Sequence, residues 1–247
     1  MLQTIDLTKR YEDGQLALEA LNLEIKPGEI FCLLGANGAG KTTTINLLLN
    51  FIDPTSGKAL INGIDVMQQP LETKKHVSFV SENVMLYGNF TARQNLDFFA
   101  RLGGKTNLTK KDYHNTMREI GLQEEAFEKK LKTFSKGMRQ KVGLAIAIIK
   151  DADNILMDEP TSGLDPKSAT ELMQILVGLR NAGKAILMCT NDIFRAKAVA
   201  DRVGIMKEGR LVMLRTREEF LRDDLERIYL DYMQEVGEPK KIMNYEL

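Results

Sequence analysis

The chain has 247 residues, of which 43% are hydrophobic and 28% charged. That balance and length suit a globular protein with a sizeable core, and exclude disordered, collagenous and low-complexity architectures. Lys and Arg number 34, as do Asp and Glu, so no bulk positive field points to nucleic acid as a partner. Two cysteines, Cys32 and Cys189, are too few for a disulfide scaffold or a Cys-rich zinc site. Their apolar surroundings predict buried free thiols in a reducing compartment. Apolar runs such as Gly143 to Ile149 are far short of the ~20 residues a membrane span needs. Asp6 and the Lys9-Arg10 pair interrupt any secretory signal pattern. The expectation is a cytoplasmic protein that meets a membrane only through a partner.

Taken in chain order, Glu29 to Leu34 is a compact apolar run that predicts a buried strand ending in a Gly-rich turn. Lys41 to Asn50 predicts a helix, with Ile45, Leu47, Leu48 and Leu49 for its core side. Asp53 to Gly57 is a loop by composition. Ala59 to Ile61 predicts a strand entering a tight turn at Asn62-Gly63. From about Asn83 to Lys150 the chain turns helical. Thr91 (with Gln94 three on), Thr109 (with Asp112 three on) and Ser135 are its predicted N-caps. Strands resume at Asn154 to Met157, Ala185 to Cys189 and Val203 to Met206. Helices Pro166 to Asn181 and Ile193 to Ala200 lie between them. From Thr216 the tail reads as helical and amphipathic, with Leu221, Leu225, Ile228, Tyr229 and Tyr232 at helical spacing for packing against its own domain, the alternative being a partner surface. The alternation of strands and helices gives an α/β fold whose sheet is split in sequence by a helical insertion.

Gly35-Ala36-Asn37-Gly38-Ala39-Gly40-Lys41-Thr42 fits G-x-x-x-x-G-K-[ST], between a predicted strand and a predicted helix. Glycines let successive backbone N–H groups turn towards phosphate oxygens, and the helix start adds positive dipole. Lys41 is the point charge for the β- and γ-phosphates, and the Thr42 hydroxyl is a Mg²⁺ ligand. Downstream, the apolar Ile155-Leu156-Met157 ends in Asp158 and Glu159. Asp158 suits Mg²⁺, through water, and Glu159 suits the polarisation of an attacking water beside the γ-phosphate. Together the two motifs predict a nucleoside triphosphatase site.

Four segments in order then resemble the ATP-binding subunits of ATP-binding cassette (ABC) transporters. They are Gly35 to Thr43, Phe134-Ser135-Lys136-Gly137-Met138-Arg139-Gln140, Ile155 to Pro160, and Ser162-Gly163-Leu164-Asp165. The second is similar to the family's signature motif in a form frequent in exporters. The resemblance implies a P-loop NTPase fold: a RecA-like core, an antiparallel β subdomain and an inserted α-helical subdomain. Residues 1–82 and 151–215 would form the split ATP-binding core with its β subdomain, 83–150 the helical subdomain, and 216–247 a C-terminal helical tail. It implies ATP and Mg²⁺ as ligands. It implies a head-to-tail dimer with an identical or related subunit, in which Ser135, Gly137 and Met138 of one chain meet the nucleotide of the other. Asp165 would lie at that seam. It implies membrane-spanning subunits docking near Val84, Met85, Leu86 and Tyr87, and Tyr11 stacking on adenine, the alternative for Tyr11 being a core tyrosine of the first sheet. A soluble protein that uses ATP as a dimerisation switch is the competing class. A GTPase is disfavoured, since no Asn-Lys-x-Asp guanine-reading motif is present.

Two positions depart from the family pattern. Glu82 stands where a Gln is usual, and Asn191 where a switch histidine is usual. Glu82 still offers oxygen to Mg²⁺ but adds negative charge near the γ-phosphate. Asn191 offers one hydrogen bond but carries no proton or positive charge. Loss of one positioned donor costs ~10²–10³ in rate. The expectation is binding of Mg·ATP with slow hydrolysis. The alternative is that the two changes compensate each other and leave ordinary activity.

Overall fold

The structure, a computed structural model, describes residues 1–234. In chain order it contains β1 (Leu2–Arg10), β2 (Leu16–Ile25), β3 (Ile30–Gly35), α1 (Lys41–Leu48), β4 (Ser56–Ile61), β5 (Ile64–Asp65), α2 (Pro70–Thr73) and β6 (Val77–Val80). Then follow α3 (Ala92–Leu102), α4 (Lys110–Glu119), α5 (Lys136–Ile149), β7 (Asn154–Asp158), α6 (Pro166–Asn181), β8 (Ala185–Thr190), α7 (Ile193–Val199), β9 (Arg202–Lys207) and β10 (Arg210–Thr216). Helices α8 (Arg217–Arg222) and α9 (Leu225–Gln234) complete the described chain.

The strands form two sheets. An antiparallel sheet has the order β2-β1-β4-β5, and a larger one the order β10-β9-β3-β8-β7-β6. In the larger sheet β9, β3, β8, β7 and β6 run parallel, and β10 closes one edge as an antiparallel hairpin. Both faces of β3 are buried, which is why its sequence is an unbroken apolar run rather than an alternating one. Phe31 and Leu33 point to the layer shared with α1 and the antiparallel sheet, while Ile30, Cys32 and Leu34 point to the layer shared with α6 and α7. The thiols of Cys32 and Cys189 are free and buried, and burial pushes both above the usual cysteine range.

The chain leaves the large sheet after β6 and re-enters at β7, its immediate parallel neighbour. The intervening segment holds α3, α4 and α5 around their own apolar cluster, which includes Leu96, Met117, Phe127, Phe134 and Val142. Thr91 and Thr109 form capping boxes with Gln94 and Asp112, and the Ser135 side chain accepts from the Met138 N–H. The Asn62-Gly63 turn has φ of 52° and 79°, the pair of positive values that a two-residue hairpin demands.

The described part of the tail is helical, in two pieces. It breaks at Asp223-Asp224 into α8 and α9. Leu221, predicted to pack, is 52% exposed, and Phe220 takes the buried place beside it. The break resets the helical phase, so a periodicity drawn straight from Thr216 misassigns the first turn. Leu225, Ile228, Tyr229 and Tyr232 do join the core of the large sheet. The expected tail residues 235–247 lie outside the described residues. β1, β2, β5, α2 and β10 are elements that the sequence reading does not give.

Candidate functional site

Four neighbouring parallel strands bring their C-terminal ends together. Leu34 of β3 pairs with Thr190 of β8, Asp158 of β7 with Cys189 of β8, and Val80 of β6 with Met157 of β7. Each strand hands the chain to a segment singled out in the sequence: the glycine loop, Asp158-Glu159, Thr190-Asn191 and Glu82. Ligands of open parallel sheets bind in this crevice.

Gly38 and Gly40 of the loop adopt φ of 83° and 109°. A Cβ on Gly40 would lie 2.6 Å from the Ala17 carbonyl oxygen, so this turn requires glycine. Lys41 opens α1 and is only 5% exposed. Its Nζ donates to the carbonyls of Gly35 (2.6 Å) and Ala36 (3.2 Å) and lies 3.5 Å from Glu159 Oε1. The ammonium is thus aimed along the loop whose N–H groups would cradle phosphate.

Thr42 Oγ1 donates to Asp158 Oδ2 at 2.8 Å. Asp158 Oδ1 is buried without a hydrogen-bond partner, and burial raises this carboxyl above its usual range against the opposing pull of Thr42 and Lys41. Hard, preorganised oxygens with one buried acceptor left over fit Mg²⁺, which binds proteins through one or two carboxylates and completes its shell with phosphate and water. Among the described residues no group of three or more His, Cys, Asp or Glu is arranged to hold a metal by itself.

Glu159 has φ of 44°, a strained value for a non-glycine residue, and its N–H donates to the Cys189 carbonyl at 2.9 Å. Its Oε2 accepts from Thr190 Oγ1 (3.0 Å) and the Asn191 N–H (3.2 Å). Oε1 is buried with no hydrogen bond and has only the longer Lys41 contact. One carboxylate oxygen is fixed and the other is free to accept.

A cavity of about 380 Å³ is lined by Tyr11, Gln15, Ala17, Ala36 to Thr43, Glu82, Asp158 and Glu159. Tyr11 therefore stands on the cavity wall and not in the core, with its OH 3.4 Å from Thr43 Oγ1 and Lys9 Nζ 5.4 Å from the ring centroid. Gly35 is buried at the strand end beneath the loop. Asn191 reaches the site through its backbone N–H; its exposed side chain makes no hydrogen bond among the described residues. Glu82 Oε1 accepts from Ser162 Oγ (2.8 Å) and Lys136 Nζ (3.3 Å). Those bonds, Ser162 first, hold its carboxyl below the usual range.

The remaining candidates lie elsewhere. Ser135, Gly137, Met138 and Asp165 line a second cavity of about 880 Å³, together with Lys167 and Ser168. Gly137 fits tightly against Ser168, and Asp165 caps α6 by accepting from the Ser168 N–H and hydroxyl. Within one chain the phosphate loop and the signature turn do not share a cavity. Sequence reading assigned no role to Thr190, Ser162, Gln15 or Lys136. Thr190 ends an apolar strand next to Asn191, which is the one signal that pointed to it.

Residues 18–162 match the ABC transporter family. The chain is 32% identical over 236 residues to the carnitine transport ATP-binding protein OpuCA of Listeria monocytogenes, covering 94% of this chain and 59% of that protein. It thus spans about three fifths of that relative's length. It is 36% identical over 214 residues to the bacitracin transport ATP-binding protein BcrA of Bacillus licheniformis, covering 86% of this chain and 68% of that protein. A dimeric bacterial ABC transporter cassette superposes with a TM-score of 0.80 at 27% identity, covering 88% of this chain and 99% of the other. The same cassette has a dimeric post-hydrolysis form bound to ADP and Pi. The chain belongs to the ABC transporter family.

Proposed function

We propose that this chain binds Mg·ATP, closes head-to-tail on a second cassette, and hydrolyses ATP slowly to drive membrane-spanning transporter subunits. The observation that carries the reading is the separation of the two half-sites. The phosphate loop and the signature turn occupy different cavities of one chain, so a nucleotide that meets both must do so across two chains. The dimeric form of the related cassette supports the same arrangement.

In this reading the loop N–H groups and Lys41 hold the β- and γ-phosphates. Thr42 and Asp158 would hold Mg²⁺, which would offset phosphate charge, with Glu82 on the same wall. Glu159, steadied through Oε2 by Thr190 and Asn191, accepts a proton from the attacking water at Oε1. Ser135, Gly137 and Met138 present the start of α5 to the partner's γ-phosphate, and Asp165 lies at the seam. Closure follows binding because each triphosphate then bridges two chains, and hydrolysis removes the bridge.

The contact to the membrane subunits is assigned to a groove of about 670 Å³ lined by Val84, Met85, Leu86, Phe79, Leu102 and others. Met85 is 87% exposed there, and Tyr87 packs edge-on against Phe98 and tilted against Phe90 and Phe99. No helix among the described residues is long and apolar enough to cross a membrane, so placement on the inner face of the membrane rests on this partner. Purification of the full chain from its native membranes should bring a multi-span protein with it. Recovery with ribosomes and without a membrane protein would contradict the transport reading.

Tyr11 provides a second test. A ring face stacks on any base and is worth ~1–3 kcal/mol. Tyr11→Ala should weaken ATP binding about tenfold or more, and GTP binding equally, in calorimetric titration. Unchanged affinity would remove Tyr11 from the site.

A further inference from the structure

Glu82 stands where three segments of the chain meet. Its Oε1 accepts from Lys136 Nζ, at the start of α5, and from Ser162 Oγ, in the loop before α6. The fully buried Gln140, one turn further along α5, donates from Nε2 to the carbonyls of Ser81 (3.0 Å) and Glu82 (2.8 Å). The helix that carries the signature turn thus grips both the backbone and the side chain of the segment that walls the nucleotide cavity.

Lys136 brings a positive charge to this contact. It is the first residue of α5, where the helix dipole disfavours a cation. Its side chain lies against Gly163, where an added Cβ would sit 3.5 Å from Nζ. The side chains of Lys136 and Glu82 are 32% and 45% exposed, and pairs so exposed contribute little to stability. What the pair does fix is geometry: it ties the N-terminal turn of α5 to the nucleotide wall of the same chain.

We propose that Lys136 and Glu82, seated by Ser162, form an intrachain positioning pair that sets the orientation of the signature turn presented to a second cassette. The proposal rests on the dimer reading above. It assigns the Glu82 carboxylate to Lys136, so the unusual Glu at this position and the cation at the helix start answer each other.

The test is a double-mutant cycle in a Glu159→Gln background, with ATP-driven association followed by light scattering. Lys136→Met and Glu82→Gln should each weaken association about tenfold, and the double variant should be no weaker than the worse single one, as expected of residues in direct contact. Lys136→Arg should restore association. Lys136→Met should leave ATP affinity at concentrations too low for dimers unchanged. Additive losses, or failure of Arg to rescue, would overturn the pair. If the Glu159→Gln parent itself fails to associate, the dimer reading falls. The orientation role of the pair then falls with it.

Discussion

Glu159→Gln should lower ATP turnover about a thousandfold while leaving Mg·ATP binding intact. Glu159 has one oxygen tied to Thr190 and Asn191 and the other buried without a hydrogen bond, at the wall shared with the phosphate loop. An amide of the same shape keeps its oxygen on Thr190 and Asn191 but cannot take a proton from water. General-base catalysis contributes ~10²–10⁴ in rate, so the loss falls on the chemical step. Lys41 stays anchored by the Gly35 and Ala36 carbonyls, so the loop keeps its form. Phosphate release under single-turnover conditions, beside a binding titration, separates the two steps. Turnover within tenfold of the parent protein would show that Glu159 is not the base.

Asn191→His should raise turnover about tenfold or more. Position 191 directly follows β8, and its N–H already braces Glu159. The Asn side chain is exposed and makes no hydrogen bond among the described residues, so an imidazole has room there. In the proposed function, histidine would add a donor that carries positive charge when protonated, close to the Glu159 that its backbone N–H already holds. One such donor is worth ~10²–10³ in rate, of which Asn191 retains a part. Steady-state turnover of both proteins with the membrane partner present checks this. Brisk parent turnover that the substitution leaves unchanged would mean Glu82 and Asn191 already compensate each other.

The parts of the fold legible in the sequence were those with one dominant local cause. β3 and β8 are buried on both faces, so their apolar runs stood out. Thr91, Thr109 and Ser135 carry side chains that satisfy helix-start N–H groups, and all three caps are present. β1 and β2 are interrupted by register shifts and by the positive φ of Asp6 and Ala20, which break the alternation that Leu21 to Ile25 otherwise shows cleanly. β10 was missed because an edge strand alternates weakly, and the α8–α9 break because Asp223-Asp224 carries no Gly or Pro.

The candidate site divides in the same way. The phosphate loop and Asp158-Glu159 were readable because their chemistry lies in contiguous residues. Ser162, Lys136 and Glu82 were not readable as a unit, since 54 residues separate Glu82 from Lys136 and 80 separate it from Ser162. Only the return of the chain from β6 through α5 to the loop before α6 brings them together. The strain at Glu159 was equally hidden, because it belongs to the backbone and not to the residue type.

The most direct test of the shared-nucleotide account is the molar mass of the Glu159→Gln protein by light scattering, with saturating Mg·ATP and with ADP. The account predicts the mass of two cassettes with ATP, formed by the chain alone or with a related subunit, and of one with ADP. A single-chain mass in ATP, alone and with every related cassette supplied, would contradict it.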